Sequence, residues 1–172
     1  MKYLNVYEDI NFDDWDYIEE PVMSHDLVRM IGNKNIEDMK VLNCYGRGIY
    51  DLNGVKKLKN LYSINCSYNH ISNLDTTGLN LKFLYCDSND LVDLKVGHVK
   101  YLNCSYNDLT ELDLSETTGL RFIFCNDNRL TDLKLGETDD LAVLHCWNNN
   151  FSHESREELI RYCNRNGIRI LI

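Results

Sequence analysis

The sequence lacks any long apolar segment. Its longest uninterrupted apolar stretches are only a few residues, as in Ile170 to Ile172, whereas a membrane-spanning helix needs about 20. The first nine residues contain neither an apolar stretch nor a small-residue cleavage site, so no secretion signal is expected. A length of 172 residues, with 44% hydrophobic and 26% charged residues, is typical of one globular domain.

Motifs of catalytic and metal sites are also missing. There is no phosphate-binding glycine loop, nucleophile elbow, His-Glu metal signature or Cys-x-x-Cys pair. His145 precedes Cys146, but adjacent residues of a strand point to opposite faces, so imidazole and thiol are not expected to meet. The sequence therefore predicts a protein that is not an enzyme and has no cofactor or metal.

Basic residues are fewer than acidic ones. Eighteen lysines and arginines against 27 aspartates and glutamates give a net charge of −9. This charge repels phosphate backbones and anionic lipids at long range, so neither nucleic acid nor membrane is expected as a direct partner. One acidic cluster near the N-terminus is either a binding surface for a basic partner or a solvated surface: Glu8, Asp9, Asp13, Asp14, Asp16, Glu19 and Glu20.

Cysteine is plentiful, but its spacing does not indicate a set of disulfides. Six of the seven cysteines are separated by 22, 20, 18, 21 and 21 residues, namely Cys44, Cys66, Cys86, Cys104, Cys125 and Cys146. Spacing of this regularity marks a repeat.

Each of these cysteines lies in the frame L-x-x-L-x-C-x-x-N-x-L. The clear copies begin at Leu61, Leu81, Val99, Leu120 and Leu141. A degenerate copy begins at Met39, with Arg47 in place of the asparagine. Over roughly residues 39–151 the pattern resembles the leucine-rich-repeat family, in its short-repeat bacterial or viral style.

The resemblance implies an α/β repeat solenoid. We expect a curved, right-handed stack with a parallel β-sheet on the concave face, short turns on the convex face and helical caps. Within each copy the fourth and sixth residues should point inward, and the third, fifth and seventh outward. The asparagine should bond backbone groups of its own turn and of the neighbouring coil.

One structural domain with three segments is expected. Residues 1–38 form an N-terminal cap, residues 39–151 about six repeats, and residues 152–172 a C-terminal helix-strand cap. Ser24 is predicted to cap a helix that ends at Gly32. A capping box of Ser155 and Glu158 should open the last helix, which ends at Gly167 before a final strand.

Thiols on neighbouring strands would point in parallel into the core. This arrangement favours packing over the roughly 90° torsion of a disulfide, although regular disulfides or metal sites are the alternative. Free thiols indicate reducing surroundings, so the predicted location is the cytoplasm of the producing cell or of an infected host.

The outward positions of the predicted sheet are rich in aromatic residues, and large exposed apolar patches mark interaction sites. Alternatively, these rings only stabilise the sheet as cross-strand pairs, and both roles are compatible. The predicted partner-binding residues are Phe83, Tyr85, Tyr101, Asn103, Phe122, Phe124, His145 and Trp147.

Charged residues recur at fixed positions of the copies. The second position of successive copies carries Lys40, Tyr62, Lys82, Lys100, Arg121 and Ala142, and the residues after the strand include Asp90, Asp93, Asp108, Glu111, Asp127 and Asp132. A positive and a negative margin should therefore flank the aromatic residues and orient a partner. The alternative is that these residues are simply solvated.

The resemblance implies a noncatalytic protein-recognition module, because members of the family commonly bind partners through the concave sheet. An alternative is a viral or bacterial inhibitor or effector that blocks a host enzyme, possibly a basic nucleic-acid enzyme, through its acidic surface. The partner's identity and the oligomeric state do not follow from the sequence.

Overall fold

The computed structural model describes residues 23–32, 34–136 and 139–172. In these ranges two helices, α1 (His25–Ile31) and α2 (His153–Arg165), accompany short strands. The strands are β1 (Val41–Asn43), β2 (Ser63–Asn65), β3 (Asn73–Asp75), β4 (Phe83–Tyr85), β5 (Asp93–Lys95), β6 (Tyr101–Asn103), β7 (Glu111–Leu114), β8 (Phe122–Phe124), β9 (Asp132–Leu135), β10 (Val143–His145) and β11 (Arg169–Leu171).

The main sheet is parallel and has seven strands in the order β1-β2-β4-β6-β8-β10-β11. Neighbouring strands come from successive copies of the repeat, and equivalent residues lie opposite each other, as Leu84 does to Leu102. The chain is therefore a parallel β-solenoid, as expected. Its handedness and the concavity of the sheet stay predictions.

Each repeat strand buries its central residue and the cysteine that follows it. Leu84, Cys86, Leu102 and Cys104 are completely buried, which confirms the inward fourth and sixth positions. The seventh position is less exposed than an outward position was expected to be, because Ser67, Ser105 and Asn126 are all buried. Their side chains are satisfied by hydrogen bonds along the stack, such as Ser105 Oγ to Asn126 Oδ1 at 2.9 Å.

The opposite side of the coils contains strands as well as turns. β3 pairs with β5, and β7 pairs with β9, both in parallel. The prediction of turns alone on this side was incomplete. Leu74, Leu94 and Leu112 form a second row of buried side chains, and the residues next to them in the chain are extended. A single 3-10 turn, Val55–Lys57, lies on this side in the first coil.

The repeat asparagines link each coil to the one before it. Asn107 Nδ2 donates to the carbonyl oxygens of Cys86, Cys104 and Ser105 at 3.0, 3.0 and 3.1 Å. Its Oδ1 accepts from the amide of Leu91 at 3.0 Å. The same pattern recurs in an asparagine ladder of Asn69, Asn89, Asn107, Asn128 and Asn149. The predicted role of the asparagine is confirmed.

The residue before each ladder asparagine has a positive φ. The angles lie between 53° and 58° at Tyr68, Ser88, Tyr106, Asp127 and Asn148, and glycine takes this place in the first coil, with a φ of 60° at Gly46. Left-handed backbone turns the carbonyl of Ser88 toward the previous coil, where it accepts from the amide of Asn69 at 3.2 Å.

The helices lie at the two ends of the described chain. Ser24 caps α1 as predicted and accepts from the amide of Leu27 at 3.2 Å. The predicted capping box on α2 was wrong: Ser152 is the N-cap, and it accepts from the amide of Ser155 at 3.0 Å. Much of the predicted N-terminal cap, with the acidic cluster from Glu8 to Glu20, lies outside the described residues.

We expect Asn107→Asp to destabilise the protein by at least about 2 kcal/mol. The carboxylate would face three carbonyl oxygens that lose their donor, and each unsatisfied buried group costs about 1–3 kcal/mol. Urea unfolding followed by circular dichroism measures the change. Asn80→Asp, at an exposed position, is the control and should change the free energy of unfolding by less than about 0.5 kcal/mol.

Ser88→Val should lower the free energy of unfolding by about 1–2 kcal/mol, because a β-branched residue is strained at positive φ. Ser88→Gly removes the strain but increases the conformational entropy of the unfolded chain. The free energy of unfolding should therefore change by less than about 1 kcal/mol in this variant. Equal losses in the two variants, measured by urea unfolding, would contradict a backbone origin.

Candidate functional site

Five aromatic side chains on three adjacent strands form one cluster, which we call the aromatic strip: Phe83, Tyr85, Tyr101, Phe122 and Phe124. Tyr101 lies at its centre, with ring centroids 5.1 Å from Tyr85, 5.3 Å from Phe124 and 6.0 Å from Phe122. Each of the five side chains is half-buried.

The register of the sheet produces this cluster. Tyr101 pairs with Phe83 on one side and with Phe122 on the other. Asn103 occupies the second row between Tyr85 and Phe124. The central ring, Tyr101, therefore contacts the aromatic residues of both rows.

Asn103 is held by polar contacts at the edge of the strip. Its Nδ2 donates to Asp87 Oδ1 at 3.0 Å, and its Oδ1 accepts from the amide of Ser105 at 3.2 Å. Asp87 also accepts from Ser67 Oγ at 2.7 Å. Burial raises the pKa of the Tyr101 hydroxyl, and the neighbouring Tyr85 and Asp87 add to the effect.

His145 extends the strip onto β10. Its ring meets that of Phe124 edge-on, with centroids 4.8 Å apart. Burial lowers the pKa of His145, and the positive charge of Arg169 lowers it further. Trp147, in the turn after β10, is 40% exposed, and no ring contact joins it to the strip within the described residues. The structure thus groups seven of the eight predicted partner-binding residues.

A row of cations borders the strip where the strands begin. We call Lys40, Lys82, Lys100 and Arg121 the basic row. Lys82 Nζ lies 5.2 Å from the ring centroid of Phe83, and the Arg121 guanidinium lies 5.8 Å from that of Phe122. All four side chains are exposed, and within the described ranges none has a carboxylate within 4.0 Å.

The predicted acidic margin does not form one row. Asp93, Glu111 and Asp132 open β5, β7 and β9, which lie on the other side of the coils. Asp108 lies 2.7 Å from Arg129, and Asp90 lies 3.4 Å from His70. The prediction failed because residues after the strand were assigned to a turn, whereas the chain there enters a second strand.

All seven thiols are free and buried. Burial raises the pKa of Cys104 and Cys146 to about 12, so their thiolate populations at neutral pH are very small. Cys146 points into the core, whereas His145 lies on the outer face beside Phe124. These contacts give the thiols a structural role in the core.

A cleft of about 220 Å³ lies between β9 and α2 and was not predicted from the sequence. Its apolar lining includes Leu133, Leu135, Phe151 and Leu159. Leu133 and Leu135 are half-exposed, although the equivalent residues of β7 are buried, because no further strand covers β9 in the described chain. The frame L-x-x-L-x-C-x-x-N-x-L carries no signal of where this second row ends.

Exposed tyrosines form a further surface at the turns that follow the main sheet. Tyr68 and Tyr106, at positive φ, are 58% and 56% exposed, and Tyr45 lies 5.1 Å from Tyr68 between ring centroids. The negative charge of Asp127 raises the pKa of the Tyr106 hydroxyl.

The described residues lack a membrane-spanning helix and a cluster of metal-binding side chains. None of their helices has the length and apolar character required to span a bilayer. They also hold no cluster of three or more histidine, cysteine, aspartate or glutamate side chains suited to a metal ion.

Comparisons with known proteins show similarity to solved structures. No family model and no curated protein matches the chain. Among solved structures, it is similar to the functional domain of InlJ from Listeria monocytogenes, which includes a cysteine ladder, at 21% identity and a TM-score of 0.24. The match covers 69% of this chain and 46% of that chain, so this chain spans less than half of the InlJ domain.

Arg169→Gln should raise the pKa of His145 toward its usual value, because the substitution removes the nearby positive charge. The burial that also lowers this pKa would remain, so the recovery should be partial. An NMR titration of the His145 ring protons measures the change. Arg165→Gln, at the end of α2, is the control, and an equal shift in both variants would show that Arg169 has no specific effect.

Proposed function

We propose that this chain is a noncatalytic recognition module that binds a protein partner through the aromatic strip. The observation that carries the proposal is the cluster around Tyr101, where five rings pack together yet keep part of their surface accessible. Tyrosine, tryptophan and arginine dominate binding energy at protein interfaces. The strip supplies Tyr85 and Tyr101, and Arg121 borders it.

Stabilisation of the sheet and binding of a partner are compatible roles for these rings. Cross-strand aromatic pairs contribute roughly 0.2–1 kcal/mol each, and the contacts of Tyr101 fall in this class. Such contacts also fix the rings before a partner arrives, so little side-chain entropy is lost on binding. The same residues can therefore stabilise the fold and serve as a preorganised binding surface.

The proposal includes a cap at each end of the repeats and a cytoplasmic location. Residues 1–38 and 152–172 would cover the ends of about six repeats, which is supported at the C-terminal end by the pairing of β11 with β10. A cytoplasmic location would suit the seven free thiols.

The alternative of an acidic inhibitor or effector depends on a different part of the chain. Seven acidic residues and one lysine give residues 1–22 a net charge of −6, out of −9 for the whole chain. These residues lie outside the described structure. The aromatic strip, bordered by the basic row, therefore favours the recognition module.

A variant carrying Tyr85→Thr and Phe124→Thr should lose partner binding by at least about tenfold, because each ring is an expected interface anchor. Threonine suits a strand, so the fold should be retained. Proteins captured from lysate by the full chain and by the variant are compared by quantitative mass spectrometry, after circular dichroism of both.

The matched control carries Tyr45→Thr and Tyr50→Thr, which remove two exposed rings of the first coil, outside the strip and the basic row. It should capture the same proteins as the parent chain. Loss of the same protein from both variants, or from neither, would place binding elsewhere on the molecule.

A further inference from the structure

The basic row identifies the chemistry of the partner, an inference that rests on the proposed function. We propose that the aromatic strip binds an extended acidic segment of a protein, with apolar side chains on the strip and carboxylates along Lys82, Lys100 and Arg121. The partner would then carry the same sign of charge as this chain as a whole, and not the basic surface that a net charge of −9 suggests.

The ion pairs of the described residues lie outside the basic row. They include Arg29 with Asp26, Lys95 with Asp93 and Arg129 with Asp108 at 3.3, 3.9 and 2.7 Å. Lys82, Lys100 and Arg121 precede three neighbouring strands of the main sheet, and within the described residues none of them has a carboxylate within 4.0 Å. This uncompensated charge lies directly beside the apolar strip.

The geometry of strands suits an extended ligand. Lys82, Lys100 and Arg121 immediately precede the neighbouring strands β4, β6 and β8. Neighbouring strands of a sheet are spaced about 4.8 Å apart. In an extended segment, alternate side chains share a face and lie roughly 6.6 Å apart. The two spacings differ by roughly 1.8 Å per step, which long lysine and arginine side chains can accommodate. A segment that crosses the strands with its own side chains parallel to the sheet can then direct one set to the cations and the other set to the rings.

Two of the cations are already positioned for this task. Lys82 and Arg121 lie over the rings of Phe83 and Phe122, which restrains their long side chains and lowers the entropy cost of a further contact. Apolar surface beside them reduces the local dielectric screening, so a carboxylate bound there is attracted more strongly than at an isolated surface lysine.

Single-stranded nucleic acid also binds aromatic and basic surfaces, but the strip suits it less well. Bases need free ring faces on which to stack, whereas Tyr101 is tilted by 42° and 30° against Tyr85 and Phe124 and occupies the space between them.

The test uses the full chain and two fluorescent twelve-residue peptides. One alternates glutamate with leucine or phenylalanine, and the other has glutamine in place of glutamate. Fluorescence polarisation should give an affinity at least about tenfold higher for the acidic peptide. The preference should fall as salt is raised, because the charges are exposed.

Two variants of equal net charge locate the effect. Lys82→Gln, Lys100→Gln and Arg121→Gln together should abolish most of the preference for the acidic peptide. Lys95→Gln, Arg129→Gln and Lys134→Gln together remove the same number of charges elsewhere and should leave it within about twofold of the parent chain. Thermal unfolding checks that both variants are folded.

Three results would overturn the inference: no preference for the acidic peptide, an equal loss in both charge variants, or tighter binding of an oligothymidine through the basic row. The proposed function has a separate outcome. If the Tyr85→Thr and Phe124→Thr variant loses its captured protein while the basic-row variant keeps it, the strip binds a protein but the acidic-segment inference fails.

Discussion

Satisfaction of buried backbone polar groups at the turns is the constraint on which the rest of this structure depends. A coil of about 20 residues must leave its strand within a few residues, and the carbonyl groups there point into a dry interior. Each ladder asparagine supplies donors to its own coil and to the preceding coil, as Asn107 does to Cys104 and Cys86. The amide group thus both closes the turn and fixes the distance between coils. An unsatisfied carbonyl would cost about 1–3 kcal/mol at every copy.

This constraint fixes the register of the main sheet, and the register in turn places the surface residues. Because equivalent positions lie opposite each other, a ring at the third position of one copy meets the third position of the next, as Tyr101 meets Phe83 and Phe122. The basic row arises in the same way from the second position. Each row of surface side chains therefore corresponds to one position of the repeat. A substitution at such a position changes the surface chemistry of one copy without any change to the core.

For this reason much of the fold and of the strip could be predicted from the sequence. The cysteine spacing predicts the strands β2, β4, β6, β8 and β10 and the clustering of the residues from Phe83 to His145. The cap of α2 at Ser152 has no periodic signature and was missed. The second strands, such as β7, were also missed, although Leu74, Leu94, Leu112 and Leu133 recur eight residues after the cysteines. The positive φ at Tyr68 and Tyr106 runs against residue preference, and only the shared position in the frame could have indicated it.

The charge beside the aromatic strip is opposite in sign to the net charge of the chain. Acidic residues outnumber basic ones, yet the cations beside the aromatic strip lack acidic neighbours within the described structure, whereas Asp108 and Asp113 are paired elsewhere. Long-range repulsion by the net negative charge slows association with anions. An acidic partner must therefore approach against the net charge and be recognised at short range. Selectivity would come from the match between its apolar side chains and the rings, and the basic row would set its orientation.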